Sequence, residues 1–325
     1  AVAQSPSFFS LWIGNNDVLG YATSGGAATD QTGNLDPSTY GGDDITDPNV
    51  FAQVYSGLVD NLTQSASGGV VFNIPDVTSV PFFQVVPPNA VPLDAETASQ
   101  LNAQFQEYNT QILPGLAQAG LISADEAQQR QISFSEGNNF VTMQDKNLTD
   151  ISAILVQNFG LDQQTAQTLS QLRQANASDL IPLTASSIIG TEVNDNPSLI
   201  NGVSVPLSDE FVLTTQEQNA IQAATTAYNA TIAGIAEQND LAFVDVNSIL
   251  KQVDEGGIPY SGGTLTSEFV TGGSFSLDGI HLTAKGYALI ANRAIEAINE
   301  QYGSIIPGVN VGDFKGITPS NDITQ

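Results

Sequence analysis

Apolar residues along this chain recur with the period of a strand or of a helix, and the changes of rhythm mark its organisation. Ser7-Phe8-Phe9-Ser10-Leu11-Trp12-Ile13 is a near-continuous apolar, β-prone run, the pattern of a strand buried on both faces of a parallel sheet. It stops at Gly14-Asn15-Asn16-Asp17, and a loop of small residues follows from Thr23 to Asp30. Asp47 before Pro48 predicts an N-cap with proline at the first helical position. The helix it opens runs to about Ser65, with Val50, Val54, Leu58 and Leu62 at helical spacing. Gly69 to Ile74 predicts a second buried strand closing on Pro75-Asp76, and Phe82 to Val86 a further extended piece before Pro87-Pro88. Strand, helix, strand in this order is a βαβ unit.

From residue 89 to 210 the rhythm becomes helical and rich in Gln and Ala, with no strong strand. Asp94 starts a helix to about Gly120, Ser123-Ala124-Asp125-Glu126 has capping-box spacing for another, and further helices are expected near 147–158 and 162–175. Asn201-Gly202 between apolar runs is the best hairpin signal. Thr214-Thr215-Gln216-Glu217 then opens a long helix with Ile221, Ala224, Tyr228, Ile232 and Ile235 on one face. It leads to a third buried strand, Leu241 to Val246. After a Gly-rich loop, a final helix spans about Thr283 to Tyr302 with Tyr287, Ile290, Ala294 and Ile298 toward a core, and the tail from Gly303 is expected to be ordered only by docking. The expected layout is an α/β domain with a parallel sheet made of residues 1–88 and 211–302, interrupted by a mainly helical insertion at 89–210, a lid or a passive subdomain, and followed by a tail at 303–325.

Composition narrows the partners. The 325 residues hold seven Lys and Arg against 34 Asp and Glu, a formal charge of -27. Nucleic acid and anionic membrane surfaces, which reward basic patches, are excluded on that ground. Charged residues are only 13% of the chain, so the surface is one of Asn, Gln, Ser, Thr and Gly, as in secreted or envelope proteins. Without cysteine there is no disulfide, thiolate ligand or thiol nucleophile. Sequons at Asn61, Asn147, Asn176 and Asn229 matter only in a eukaryotic secretory pathway. No apolar run reaches the roughly 18 to 20 residues of a membrane span, and the start reads as the end of a helix running straight into a strand, as if sequence precedes it.

Chemistry gathers at two motifs. His281 is the sole histidine, three residues after Asp278 in Asp278-Gly279-Ile280-His281. An imidazole serves as a base near neutral pH when a carboxylate fixes its tautomer; alone, the pair also fits a hydrogen-bonded loop histidine. Gly14-Asn15-Asn16-Asp17 directly follows a strand, where the crevices of open parallel sheets lie; alone, it also fits a polar turn. Together, in this order, the two motifs resemble the SGNH hydrolases, or GDSL esterase/lipase family, with their Gly-x-Asn-Asp and Asp-x-x-His blocks. The sequences around them, Trp12 to Asp17, Phe72 to Asp76 and Asp278 to Thr283, look like the large lipoprotein-type members found in Bacteroidetes. The resemblance spans both ends of the chain and not the insertion. It implies a three-layer αβα, flavodoxin-like fold, incomplete at its N-terminus. It further implies His281 as base, Asp278 as its orienting carboxylate and Asn16 as oxyanion donor, with Gly14 and Asp17 supporting the oxyanion loop, and no cofactor or metal.

The family's Gly-Asp-Ser-Leu-like block and a second oxyanion glycine have no counterpart. Only thirteen residues precede Gly14, and none of Ser5, Ser7 or Ser10 falls in a strand-to-helix elbow. The expected function is therefore a serine ester hydrolase whose nucleophile lies upstream, on a separate or cleaved fragment or on sequence not included. The chain by itself is expected to be inert. The alternative is a degenerate member, a non-catalytic binding or assembly module of the bacterial envelope. A companion chain covering the sheet edge, an ester substrate and an envelope, extracellular or outer-membrane lipoprotein location belong to the first reading. A metal-dependent hydrolase built on Asp43, Asp44 and Asp47 is a third, short of good transition-metal ligands.

Overall fold

The computed structural model describes residues 2–317, and the expectations placed on Ala1 and on residues 318–325 lie outside them. Its architecture is mixed α/β with a parallel three-stranded sheet and several helices. The chain divides into one unit of Ala1–Thr23, Ala28–Val85 and Gln218–Gln325 and a second of Ser24–Ala27 and Val86–Glu217.

In the first unit, strand β1 (Phe9–Leu11) leads into helix α1 (Asn16–Thr23), and helix α2 (Pro48–Thr63) into strand β2 (Gly69–Phe72). Helix α3 (Thr215–Gln238), which begins in the last residues of the second unit, precedes strand β3 (Ala242–Val244), helix α4 (Val246–Glu255) and helix α5 (Ala284–Tyr302). The sheet order is β1-β2-β3, all parallel, with Ser10 level with Val70 and Val71 level with Phe243. Strand β2 is central and buried along its whole length. The edge strand β1 differs from its expectation. Phe9 is buried but Ser10 is exposed and Leu11 half-buried: among the described residues β1 pairs only with β2, and only one of its faces meets the core.

Asp47 forms the expected N-cap, accepting from the N–H groups of Asn49 and Val50 at 2.8 and 3.2 Å. Losing such a cap costs about 1 kcal/mol. The buried stripe of α2 is the expected one at its ends, Val50 and Leu62, and differs in the middle. Val50, Phe51, Tyr55, Val59 and Leu62 face the core, while Val54 is 57% and Leu58 36% exposed. Both stripes have helical spacing, and the aromatic one buries more area. Helix α1 fills the stretch between the Gly14–Asp17 turn and the loop expected from Thr23, and is held by Val18, Tyr21 and Ala22, all buried. The piece at 82–86 is a short helix, Pro81–Gln84, since Pro81 takes the first helical position after an extended Val80. Tyr287 on α5 is 46% exposed where a core contact was expected. The tail docks as expected over its described part: Asn292 and Asn299, one heptad apart, each exchange two hydrogen bonds with the backbone of Val309 and Ile306.

The second unit combines its helices with short strands that the sequence pattern did not indicate. Helices start where carboxylate or hydroxyl caps stand, at Ala95–Gln104, Ala124–Gln129 and Gln163–Leu169. Between them lie three antiparallel pairs: Val91–Leu93 with Gly137–Asn139, Thr142–Gln144 with Leu172–Gln174, and Glu192–Val193 with Asn196–Ile200. The hairpin turns at Asn194-Asp195, both at φ +55°, the left-handed pair that a two-residue hairpin requires. Asn201-Gly202 instead closes a separate tight loop in which the Gly202 N–H donates to Val205. The unit has its own apolar core, including Leu113, Leu116, Val141, Met143 and Ile151.

Candidate active site

The Asp278 loop is built by its own backbone. The Ser276 N–H donates to the His281 carbonyl at 2.7 Å and the Thr283 N–H to Ser274 at 2.8 Å, pinching the segment into a narrow loop. Thr283 then caps α5, its hydroxyl accepting from the Gly286 N–H at 3.1 Å and donating to the Gly273 carbonyl at 2.6 Å. Gly279 sits at φ +71°, and a Cβ there would come within 2.7 Å of the Phe82 backbone nitrogen. That close approach lets the Phe82 N–H donate to the Gly279 carbonyl at 3.1 Å. The loop is thereby fixed against the segment that follows β2.

Within it, the two carboxylate oxygens of Asp278 have separate tasks. Oδ2 meets His281 Nδ1 at 2.7 Å. Oδ1 accepts from Ser276 Oγ at 2.6 Å and from the N–H groups of Ile280 and His281, each at 2.9 Å. Burial alone would raise the carboxyl, but the bonds from Ser276, the Ile280 N–H and the His281 ring and N–H hold it far below the usual carboxylate range. Asp278 stays ionised and oriented toward Nδ1, which leaves Nε2 as the ring nitrogen open to another partner. The imidazole is 68% exposed.

The other motif arrives at the carboxyl end of β1. Gly14 has φ +103°, and a Cβ would sit 2.8 Å from the Ile74 side chain and 2.9 Å from that of Phe51, so any other residue would strain this turn. The Asp17 N–H donates to the Gly14 carbonyl at 3.1 Å, and Asp17 Oδ1 accepts from Thr46 Oγ1 at 2.7 Å, which ties the start of α1 to the loop before α2. Just past the end of β2, the backbone of Ile74 exchanges two 2.8 Å bonds with the Asn229 side chain of α3, and the Asn247 side chain of α4 adds a third at 3.1 Å. These side chains set the path of Pro75.

The two motifs meet at one cavity of about 280 Å³ whose lining includes Asn16, His281, Trp12, Asn15, Pro75 and Tyr287. The rest of the wall is aliphatic, from Leu19, Val77, Val80, Leu250, Ile280 and Leu282. Of the expected site residues, His281 and Asn16 lie in this wall, Asp278 stands behind His281, and Gly14 and Asp17 shape the turn beneath. Among the described residues that line the cavity there is no serine, threonine or cysteine, and the single hydroxyl is that of Tyr287. Ser10 lies in β1 and lines no part of it.

Sequence reasoning passed over Trp12, Asn15 and Tyr287 as wall residues and Ser276 as a donor to Asp278. The Ser276-x-Asp278 spacing carried the last of these. Carboxylates proposed for a metal have other partners: Asp44 accepts from Thr29, Gln31 and Gly41, and Asp47 from Gly33, Asn49 and Val50. Among the described residues no cluster of three or more His, Asp or Glu is placed to hold a metal ion. None of their helices is long and apolar enough to cross a membrane. No protein-family model, curated protein or solved structure matches the chain.

Proposed function

We propose that this chain supplies the base, orienting carboxylate and oxyanion donor of an SGNH-type serine ester hydrolase whose serine comes from polypeptide outside the residues given. The observation that carries the reading is a preorganised Asp278–His281 pair in the wall of a largely aliphatic cavity that also contains Asn16. His281 Nε2 takes the proton of the attacking hydroxyl and returns it to the leaving alcohol. Asn16 donates to the oxyanion of the tetrahedral intermediate, a contribution of roughly 10²- to 10³-fold in rate for one donor. The aliphatic wall suits the acyl part of the ester.

The missing nucleophile fits the same scheme. Strand β1 is a sheet edge; Phe8 beside it is exposed, and Ile13, Val54 and Leu58 line an apolar groove with Tyr55. A further parallel strand added there would complete a three-layer, flavodoxin-like sheet and deliver its carboxyl end near Asn16. Its source is an N-terminal fragment or companion chain, in a protein of the cell envelope or outside it. The complete protein is expected to hydrolyse a short-chain nitrophenyl ester and to lose that activity in His281→Ala. Full activity in the variant would sink the assignment.

The absence of a serine, threonine or cysteine from the described cavity wall also favours a second reading, a binding or assembly module without turnover. Covalent labelling of the complete protein by a fluorophosphonate counts against it; a complete protein that resists the probe and hydrolyses no ester supports it.

A further inference from the structure

Asp278 and His281 form a surface pair, the carboxylate side chain 47% and the imidazole 68% exposed. An ion pair between such side chains gains little in water and loses much of it to side-chain motion, so a fixed arrangement needs a clamp. Three donors supply one at Oδ1. The N–H groups of Ile280 and His281 come from the residues after the carboxylate, and Ser276 Oγ, at 2.6 Å the closest of the three, from two positions before it. The carboxylate is held from both arms of the loop, which leaves Oδ2 for His281 Nδ1. Against burial, which raises the carboxyl, the Ser276 bond is the strongest of the effects that lower it. The loop does not need this hydroxyl to close. Main-chain atoms tie Ser276 in place, its N–H donating to the His281 carbonyl at 2.7 Å and its carbonyl accepting from the Gly279 N–H at 3.0 Å. Ser276 lines no part of the cavity, so its hydroxyl is placed to act on Asp278 and not on a ligand there.

We propose that Ser276 is a positioning residue of this site: by donating to Oδ1 it keeps Oδ2 on His281 Nδ1 and so holds the ring with Nε2 open for proton transfer. The proposal rests on the ester-hydrolase reading for its part in turnover and adds to that reading the residue that orients the carboxylate. With an alkyl side chain in its place, Oδ1 would keep only the two N–H donors on one side. Water would compete on the other, and the carboxylate would turn more freely away from the ring.

His281 is the only histidine, so its ring gives one pair of nitrogen NMR signals, whose shifts at a pH where the ring is neutral report which nitrogen carries the proton. In the 325-residue chain the proton is expected mainly on Nδ1, facing Asp278. Ser276→Ala is expected to lower the ratio of the Nδ1–H to the Nε2–H form by about threefold or more, while circular dichroism stays native. Ser276→Thr, which keeps the hydroxyl, is expected to retain the ratio of the unaltered chain. In the complete protein, Ser276→Ala is expected to lower kcat for a short-chain nitrophenyl ester by about threefold or more with KM unchanged. An unaltered ratio or an unaltered kcat in Ser276→Ala, or an equal fall in Ser276→Ala and Ser276→Thr, overturns the proposal. Should Ser276→Ala misfold, Ser276→Cys, close in shape and only a weak donor, takes its place and is expected to lower the ratio. The ratio is read without turnover, so its failure leaves the hydrolase reading to be decided by His281→Ala. A complete protein that hydrolyses no ester, in turn, leaves the ratio to decide the positioning of the ring.

Discussion

In the second unit the guanidinium of Arg173 is buried between two carboxylates, 2.6 Å from Asp145 and 2.6 Å from Asp179. Arg130, also fully buried, bonds to Glu126 and to the carbonyls of Ser170 and Thr149. In the first unit the Asp278–His281 pair has the same short separation, yet both side chains are about half exposed or more. Burial makes the difference one of role. An ion pair closed off from water fixes a fold and has no free valence for a ligand. The Asp278–His281 pair turns one ring nitrogen toward the carboxylate and leaves the other available, with His281 in the wall of a cavity.

The largest effect that sharpens this contrast is on rate. In the complete protein, His281→Ala is expected to lower ester hydrolysis by on the order of 10⁴-fold or more, with urea unfolding nearly unchanged because the ring is exposed. Arg173→Leu should do the reverse. It strands Asp145 and Asp179 in the interior and is expected to cost the second unit about 3–5 kcal/mol, measured by urea unfolding. The ring protons of His281, the sole histidine, should keep their chemical shifts. A displaced His281 signal in that variant would break the division of roles.

How much of this was legible follows from where the information lies. Local signals were readable: the Asp47-Pro48 helix start, the Thr214 to Glu217 capping box, where the Thr214 N–H donates to Glu217 at 2.7 Å, and the strand cores at Val70 and Phe243. The Asp278 loop was readable because its partners lie within a few residues of one another. What failed depended on neighbours distant in sequence. The exposure of Ser10 follows from β1 being an edge, and the choice between the Val54–Leu58 and Tyr55–Val59 stripes of α2 depends on what packs against them. The antiparallel pairs of the second unit join segments such as 142–144 and 172–174, whose pairing no local pattern encodes. Trp12 was read as strand core, and only the tertiary structure makes it a cavity wall.

A smaller expected effect lies in the cap of α2. Asp47 is almost completely buried and takes the N–H of Gly33 as well as those of the first helical turn. Asp47→Ala is expected to destabilise the first unit by about 2 kcal/mol, read as a lower urea midpoint. Asp47→Asn should recover part of the loss, since an amide oxygen still accepts from the first turn.

The smallest effect compares one carboxylate from each unit by pH. Hydrogen bonds hold Asp278 below its ordinary value, whereas burial pushes Asp209 up despite the Lys146 ammonium 3.6 Å away. A carboxyl lowered in the folded state binds fewer protons there than in the unfolded chain. Its stabilisation is fully present above the unfolded value, near pH 4, and is lost as pH falls through the folded value. A raised carboxyl acts oppositely, and stability drops as pH rises from the unfolded value through the folded one. Thermal unfolding of Asp278→Asn should therefore lie below that of the unaltered chain at pH 6, with the gap closing in acid. The difference for Asp209→Asn should move the other way, the variant gaining on the unaltered chain as pH rises above about 4. Parallel pH dependence in the two variants would show that the carboxylates share one environment, and the distinction between a unit that closes on its charges and one that leaves them for chemistry would lose its electrostatic basis.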